Sequence, residues 1–254
     1  MNFGELLMVG EDDPKKESQM AKEMRILAKR NLPFDNKSSL EVVRNVAKQT
    51  GISPSLLYSS AFQEGMNRAI AKPDEVSIPY DEAQVKGLIP ADYPVDAFWN
   101  YGIDQFDKYL PTIQKDLPQG FDQRYKMFPA KNEQGAMVNS VAFKSNEDAL
   151  LVKGLILKNA LSEVDNYAKQ KGVILDDTAR NYLALAKYNS GSENFPIMFD
   201  EISKAKDQKK FISEGQTRRK GVHKNIYPRI ENMALADELL NENPLGNEQG
   251  VRPL

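Results

Sequence analysis

Residues 51–65 read GISPSLLYSSAFQEG, and the fold class turns on what this stretch does. Gly51 is placed to stop one helix and Ser53 to cap the next with its side-chain oxygen. Pro54 takes the first helical position, where its missing N–H leaves no bond unmade. The helix opened there carries Leu57, Ala61 and Glu64 at helical spacing, which puts the Glu64 carboxyl on or beside the apolar stripe. Apolar surroundings disfavour a charged carboxylate, so the pKa of Glu64 is expected to rise. That is the property a general acid needs to protonate a glycosidic oxygen. The plainer alternative is a Glu at the boundary of an amphipathic helix.

Working outward, the pattern is helical almost throughout, and the class is mainly α. Toward the N-terminus, Ser39 reads as the cap of a helix with Leu40, Val43 and Ala47 on one face. Lys15–Arg30 is rich in strong helix formers with Met20, Met24 and Leu27 at helical spacing. Beyond Glu64, the stretch from Lys72 to Pro94 carries Pro73, Pro79, Pro90 and Pro94 and reads as a long irregular connection, a kind of segment that is often functional. Val95–Leu110 is expected to form a short helix, and residues 111–145 a second irregular stretch with room for a short helix or ribbon. Asn146 is expected to cap the strongest helix in the chain, which runs to Gly172 with acids at its front and lysines at its back. Asp176 or Asp177 caps a further helix ending near Ser190–Gly191. Another is expected from about Phe195 to Lys206, and a last one from about Arg229 to Leu240, before a tail that reads as flexible.

Composition narrows the chemistry. The 254 residues include no Cys and a single His, His223, with 34 Lys+Arg against 36 Asp+Glu. That excludes disulfide staples, Cys-ligated zinc, a Cys nucleophile and a multi-histidine metal site, and argues against a Ser-His-Asp triad. A net charge of -2 does not fit a whole-chain nucleic-acid binder. What remains is carboxylate, hydroxyl and amide chemistry. The neutrality is an average: residues 202–230 hold nine basic residues, from Lys204 to Arg229, against Asp207 and Glu214. No apolar run is long enough to span a membrane. The N-terminal residues lack the basic start and apolar stretch of a secretory signal peptide.

Two more segments join Glu64. Trp99–Phe106 reads WNYGIDQF, with Gly102 permitting a tight turn and Gln105 offering an amide beside Tyr101. Leu183–Gly191 reads LALAKYNSG, an apolar helix ending in Tyr188–Asn189. Aromatic faces with nearby amides suit a pyranose, which has apolar faces and hydroxyl edges. Each segment alone also has a plain structural reading, as a core aromatic cluster and as a helix C-terminus.

In order, Ser60–Gly65, Gly102–Gln105 and Leu185–Gly191 resemble the three signature phrases of the lysozyme-like superfamily, in its lytic transglycosylase and goose-type lysozyme branch. The chain departs from that pattern at Gly65, where the family usually has Ser, and at Asp104, where Met is usual. The separation of Glu64 from Gly102 is also longer than in a typical member. The resemblance covers about residues 38–205. It leaves residues 1–37 as an N-terminal helical extension and 206–254 as a basic C-terminal extension.

The resemblance implies a peptidoglycan-cleaving enzyme in which Glu64 is general acid and base on a β-1,4 bond. Asp104 is the candidate second carboxylate should the reaction be a hydrolysis, with Asp107 behind it. Tyr101, Gln105, Tyr188 and Asn189 would bind and orient the glycan, and no metal or cofactor is implied. A missing signal peptide fits a phage virion protein, with residues 204–229 meeting wall polymer, nucleic acid or other virion proteins. The competing expectation is a non-catalytic phage structural or cargo protein on the same scaffold. Glu64 in a groove and within hydrogen-bonding reach of Tyr188 or Gln105 would favour the enzyme. A Glu64 capped by a salt bridge would favour the scaffold, as would a groove filled by the proline-rich connection.

Overall fold

The computed structural model describes residues 18–30, 33–34, 37–67, 70, 83–91, 93, 104–131, 135–189, 191–213 and 226–242. These form a mainly helical structure. Helix α1 (Gln19–Arg30) leads through a minimal ribbon, β1 (Pro33–Phe34) and β2 (Lys37–Ser38), into α2 (Ser39–Thr50) and α3 (Pro54–Ala61). Further along come α4 (Asp104–Ile113) and a hairpin of β3 (Tyr125–Lys131) and β4 (Met137–Phe143). The rest is α5 (Asn146–Lys171), α6 (Asp177–Asn189), α7 (Gly191–Ser203), α8 (Gln208–Ser213) and α9 (Tyr227–Glu242). Among the described residues no helix is long and apolar enough to cross a membrane.

The chain's punctuation acts much as its chemistry dictates. Gly51 ends α2 in the left-handed region at φ 74°, and Gly172 ends α5 at φ 65°. Both are conformations that glycine adopts without steric cost. The Ser53 hydroxyl accepts from the Leu56 N–H at the start of α3, with Pro54 just inside. Two caps sit one residue earlier than their sequence positions indicate. Ser38 rather than Ser39 flanks α2, without a side-chain bond, and Ser145 rather than Asn146 caps α5 by accepting from the Asp148 N–H at 3.0 Å. Adjacent residues of similar capping chemistry compete, and packing decides between them. Asp176 caps α6, its carboxylate accepting from the Ala179 N–H at 2.7 Å. Helix α7 begins earlier than Phe195, with Pro196 in its first turns.

Helix α3 is enclosed on every side. Ser55, Leu56, Leu57, Tyr58, Ser59, Ser60 and Ala61 are all buried, so the stretch that reads as amphipathic is a central helix. Helices α2, α5 and α9 pack around it, and small Ser and Ala side chains let them come close. One apolar core runs from Met24 and Leu27 of α1, through α5 and α6, to Leu239 of α9. The terminal helices expected as extensions therefore belong to the same core. A second, smaller cluster joins Ala83, Ile89 and Tyr93 of the proline-rich connection to Phe128 and Ala142 of the hairpin. The described part of that connection thus docks on the β-ribbon, its fold held by Gln84, whose amide donates to the carbonyls of Pro90 and Tyr93. The ribbon itself is the one left open for residues 111–145.

Candidate functional site

Directly after α3 the helix widens into a π-turn, Phe62–Met66, in which Gly65 sits at φ 110° and ψ 5°. Side chains other than glycine rarely adopt that backbone, so Gly65 is required by the turn. A Ser at this position would be strained. Turns of this kind inside α-helices recur at functional sites, because they re-aim one side chain out of register with its helix. Here that side chain is Glu64.

Three helices converge on its carboxylate. Tyr188, at the end of α6, donates its hydroxyl to Glu64 Oε2 at 3.3 Å across 124 residues of chain. Lys153, in the third turn of α5, donates to the same oxygen and pairs with it. Arg229, in the first turn of α9, donates from Nη1 to Oε1 at 2.7 Å. The Lys153 ammonium also lies over the Tyr188 ring, 3.9 Å from its centroid, a cation–π contact. Tyr109 of α4 stacks beside Tyr188 with ring centroids 6.1 Å apart. The Ser59 hydroxyl holds the Arg229 carbonyl, fixing the start of α9 to α3. Lys153 is wholly buried, whereas the Glu64 side chain keeps 15% of its surface exposed.

The electrostatics follow from this packing. Burial alone would push the Glu64 carboxyl up, as the sequence leads one to expect. The charges of Lys153 and Arg229 and the hydrogen bonds they donate push harder the other way, and the carboxyl lies below its ordinary value. The expectation of a raised Glu64 pKa is thereby overturned: at rest the group is an ionised carboxylate. Lys153 shows the opposite balance. Desolvation pulls it down, Glu64 holds it up and Arg229 pulls it down again, leaving it at about 7. Burial, Glu163 and Glu64 raise the Tyr109 hydroxyl.

Of the residues marked in the sequence, the structure brings Glu64 and Tyr188 together. Asn189 is exposed and its amide donates to the Leu185 carbonyl at 2.9 Å, so it serves the end of α6. Tyr101 lies outside the described residues, as do the side chains of Asp104, Gln105 and Asp107. His223 and residues 214–225 of the basic segment also lie outside them, and so does the tail from residue 243. Elsewhere in that segment Lys204 pairs with Asp200 at 2.6 Å, while Arg229 turns inward to Glu64. Among the described residues no group of three or more His, Cys, Asp or Glu is placed to hold a metal.

Sequence reasoning missed Lys153 and Tyr109, and it placed Arg229 on a basic surface rather than in the site. A signal for Lys153 was present: it is the single charged residue in the otherwise apolar run Ala149–Leu157. A lysine in such a run is either solvent-reaching or held by a buried partner. Two grooves of about 790 Å³ and 440 Å³ lie elsewhere, the first beside Arg124, Lys144 and Asp148 and the second beside Ser53, Asp165 and Arg180. Neither is bordered by Glu64.

No protein-family model, curated protein or solved structure matches the chain.

Proposed function

We propose that the chain is a peptidoglycan-cleaving enzyme with a lysozyme-like helical domain, a lytic transglycosylase or muramidase acting on the β-1,4 bond between N-acetylmuramic acid and N-acetylglucosamine. The observation that carries this reading is the meeting of Glu64 and Tyr188 at 3.3 Å, two residues singled out from separate phrases of the sequence. Glu64 protonates the leaving oxygen; the sugar's own 6-hydroxyl then closes an anhydro ring and returns its proton to the same carboxylate. Tyr188 orients Glu64, and Tyr101 and Gln105 are assigned to the glycan. In a hydrolytic variant of the reaction, Asp104 is the second carboxylate. The basic segment fits delivery within a phage virion.

The cluster's energetics support a site rather than a strut. Two cations and a carboxylate held out of water are seldom more stabilising than apolar residues of the same volume. Strongly shifted titratable groups gather where chemistry is done.

A second reading has its own observation. Glu64 is capped by Lys153 and Arg229, as a non-catalytic virion scaffold would have it. Digestion of purified peptidoglycan by wild type and Glu64→Gln, with mass spectrometry of the fragments, separates the two. Anhydro-ended fragments lost in the variant establish the transglycosylase. Reducing-ended fragments establish hydrolysis and make Asp104 the next target. No fragments from several wall types would leave the scaffold.

A further inference from the structure

An ionised Glu64 cannot protonate a glycosidic oxygen, so a site built on it needs a proton from somewhere else in the cluster. The groups in contact with Glu64 include Lys153 from α5, Tyr188 from α6 and Arg229 from α9, with Tyr109 of α4 beside Tyr188. Arginine does not release its proton at any pH where a wall enzyme works, and a tyrosine hydroxyl does so only in strong base. Lys153 differs from both. It is wholly buried, donates directly to Glu64 Oε2, and lies over the Tyr188 ring with the Arg229 charge opposing its own.

Resting on the glycan-cleaving reading above, we propose that Lys153 is the proton store of the site, acting through Glu64 without touching the glycan. In each turnover a proton passes from Lys153 Nζ to Glu64, and from Glu64 to the leaving oxygen as the C1–O bond breaks. The 6-hydroxyl then bonds to C1 and gives its proton to the Glu64 carboxylate, which returns it to Lys153. Atoms and charge balance within the cluster and the sugar, and no outside reactant is needed.

The store also explains the burial. A lysine at about 7 gives up its proton far more readily than one in water, and its position in the third turn of α5 fixes the donor. Arg229 cannot leave cheaply, because α9 is anchored by buried Leu235, Ala236 and Leu239. Glu64 therefore stays ionised between turnovers, and the pair shares one proton that resides on the lysine.

The pH dependence of peptidoglycan cleavage by wild type, Lys153→Met, Lys153→Arg and Glu64→Gln tests this, alongside nuclear magnetic resonance titration of the Lys153 ammonium in wild type. Activity is expected to fall on the alkaline side with the same midpoint as the Lys153 titration. Lys153→Met should lose about 100-fold at neutral pH and regain activity only in acid, where Glu64 holds its own proton. Lys153→Arg keeps the charge but not the releasable proton. It is expected to stay inactive at neutral pH and to regain activity only at a more acid pH than Lys153→Met. An alkaline limb unchanged in Lys153→Met, or in wild type one that does not coincide with the Lys153 titration, overturns the proposal while Glu64→Gln still tests the enzyme reading. Should wild type itself release no fragments, the enzyme reading falls and the proton store with it. The wild-type coincidence decides the matter even if neither lysine variant folds.

Discussion

Glu64 and Gly65 make opposite demands on the same turn: one needs a fixed direction, the other a backbone that other residues resist. Replacing Gly65 by Ser is expected to cost about 1–3 kcal/mol through the strained φ alone, read as a lowered urea midpoint. A midpoint unchanged in that variant would mean the turn relaxes without it. The charges around Glu64 give a second prediction. Its carboxyl is lowered in the folded state, so it contributes stability that is present above the ordinary carboxylate range and lost as pH falls through the folded value. Lys153 is lowered too, and its sign is the reverse of a stabilised lysine. The unfolded chain keeps that proton to higher pH than the folded one, so stability rises as pH climbs from about 7 toward the ordinary lysine value. Urea titrations from pH 6.5 to 9.5 should show this rise in wild type and a flatter profile in Lys153→Met. An equal slope in both would remove Lys153 as its source. At this scale Glu64 and Tyr188 were legible because each lies within a short distinctive phrase. The partners that set their charge were not, since ion pairs between residues 89 and 165 positions apart leave no local pattern.

Among the elements, α5 binds the site to the fold. Next to Lys153, Gly154 lies so close to α2 that a Cβ built on it would stand 2.7 Å from Thr50 Cγ2. Thr50 has little room to yield, because it is buried and its hydroxyl donates to the Val46 carbonyl at 2.8 Å. Gly154→Ala is therefore expected to destabilise by about 1–3 kcal/mol by overpacking, despite the better helix propensity of alanine. A thermal melt that rises instead would show that α2 can shift outward. The start of the same helix offers a cleaner comparison. Ser145→Ala removes a side-chain cap worth about 1 kcal/mol, whereas Asn146→Ala leaves that Ser145 bond intact. Helix existence was readable from periodicity and its ends from Gly and Ser. The one-residue shifts of the caps were not, because Ser38–Ser39 and Ser145–Asn146 present equivalent chemistry in sequence. The π-turn was also hidden, since Gly65 in a helical pattern reads as a mere weak point until its φ is known.

At the level of the molecule, the chain closes on itself. Arg25 of α1 forms a forked pair with Glu238 of α9 at 2.8 and 3.0 Å, the Asn232 amide reaches Met20, and Arg44 of α2 donates to the Leu240 carbonyl. These contacts were illegible in sequence, where the two ends read as extensions flanking residues 38–205. Amphipathic spacing marks a buried face without saying what covers it. The exposed Arg25–Glu238 pair adds little by itself; the apolar contacts beneath it do the binding. Leu27 is 3% exposed and Leu239 1%, both in the core shared with α3 and α5. If the ends were appendages, trimming either leucine would loosen one end and spare the rest. A single shared core requires instead that Leu27→Ala and Leu239→Ala each cost about 2–5 kcal/mol. The loss should appear as a shift of one cooperative transition. Far-ultraviolet circular dichroism and tyrosine fluorescence, followed together through urea unfolding, should keep a common midpoint in both variants. An early, separate loss of helix signal in either would detach that end from the core. In the Leu239→Ala variant it would also free Arg229 from Glu64, because α9 alone carries that cation to the site.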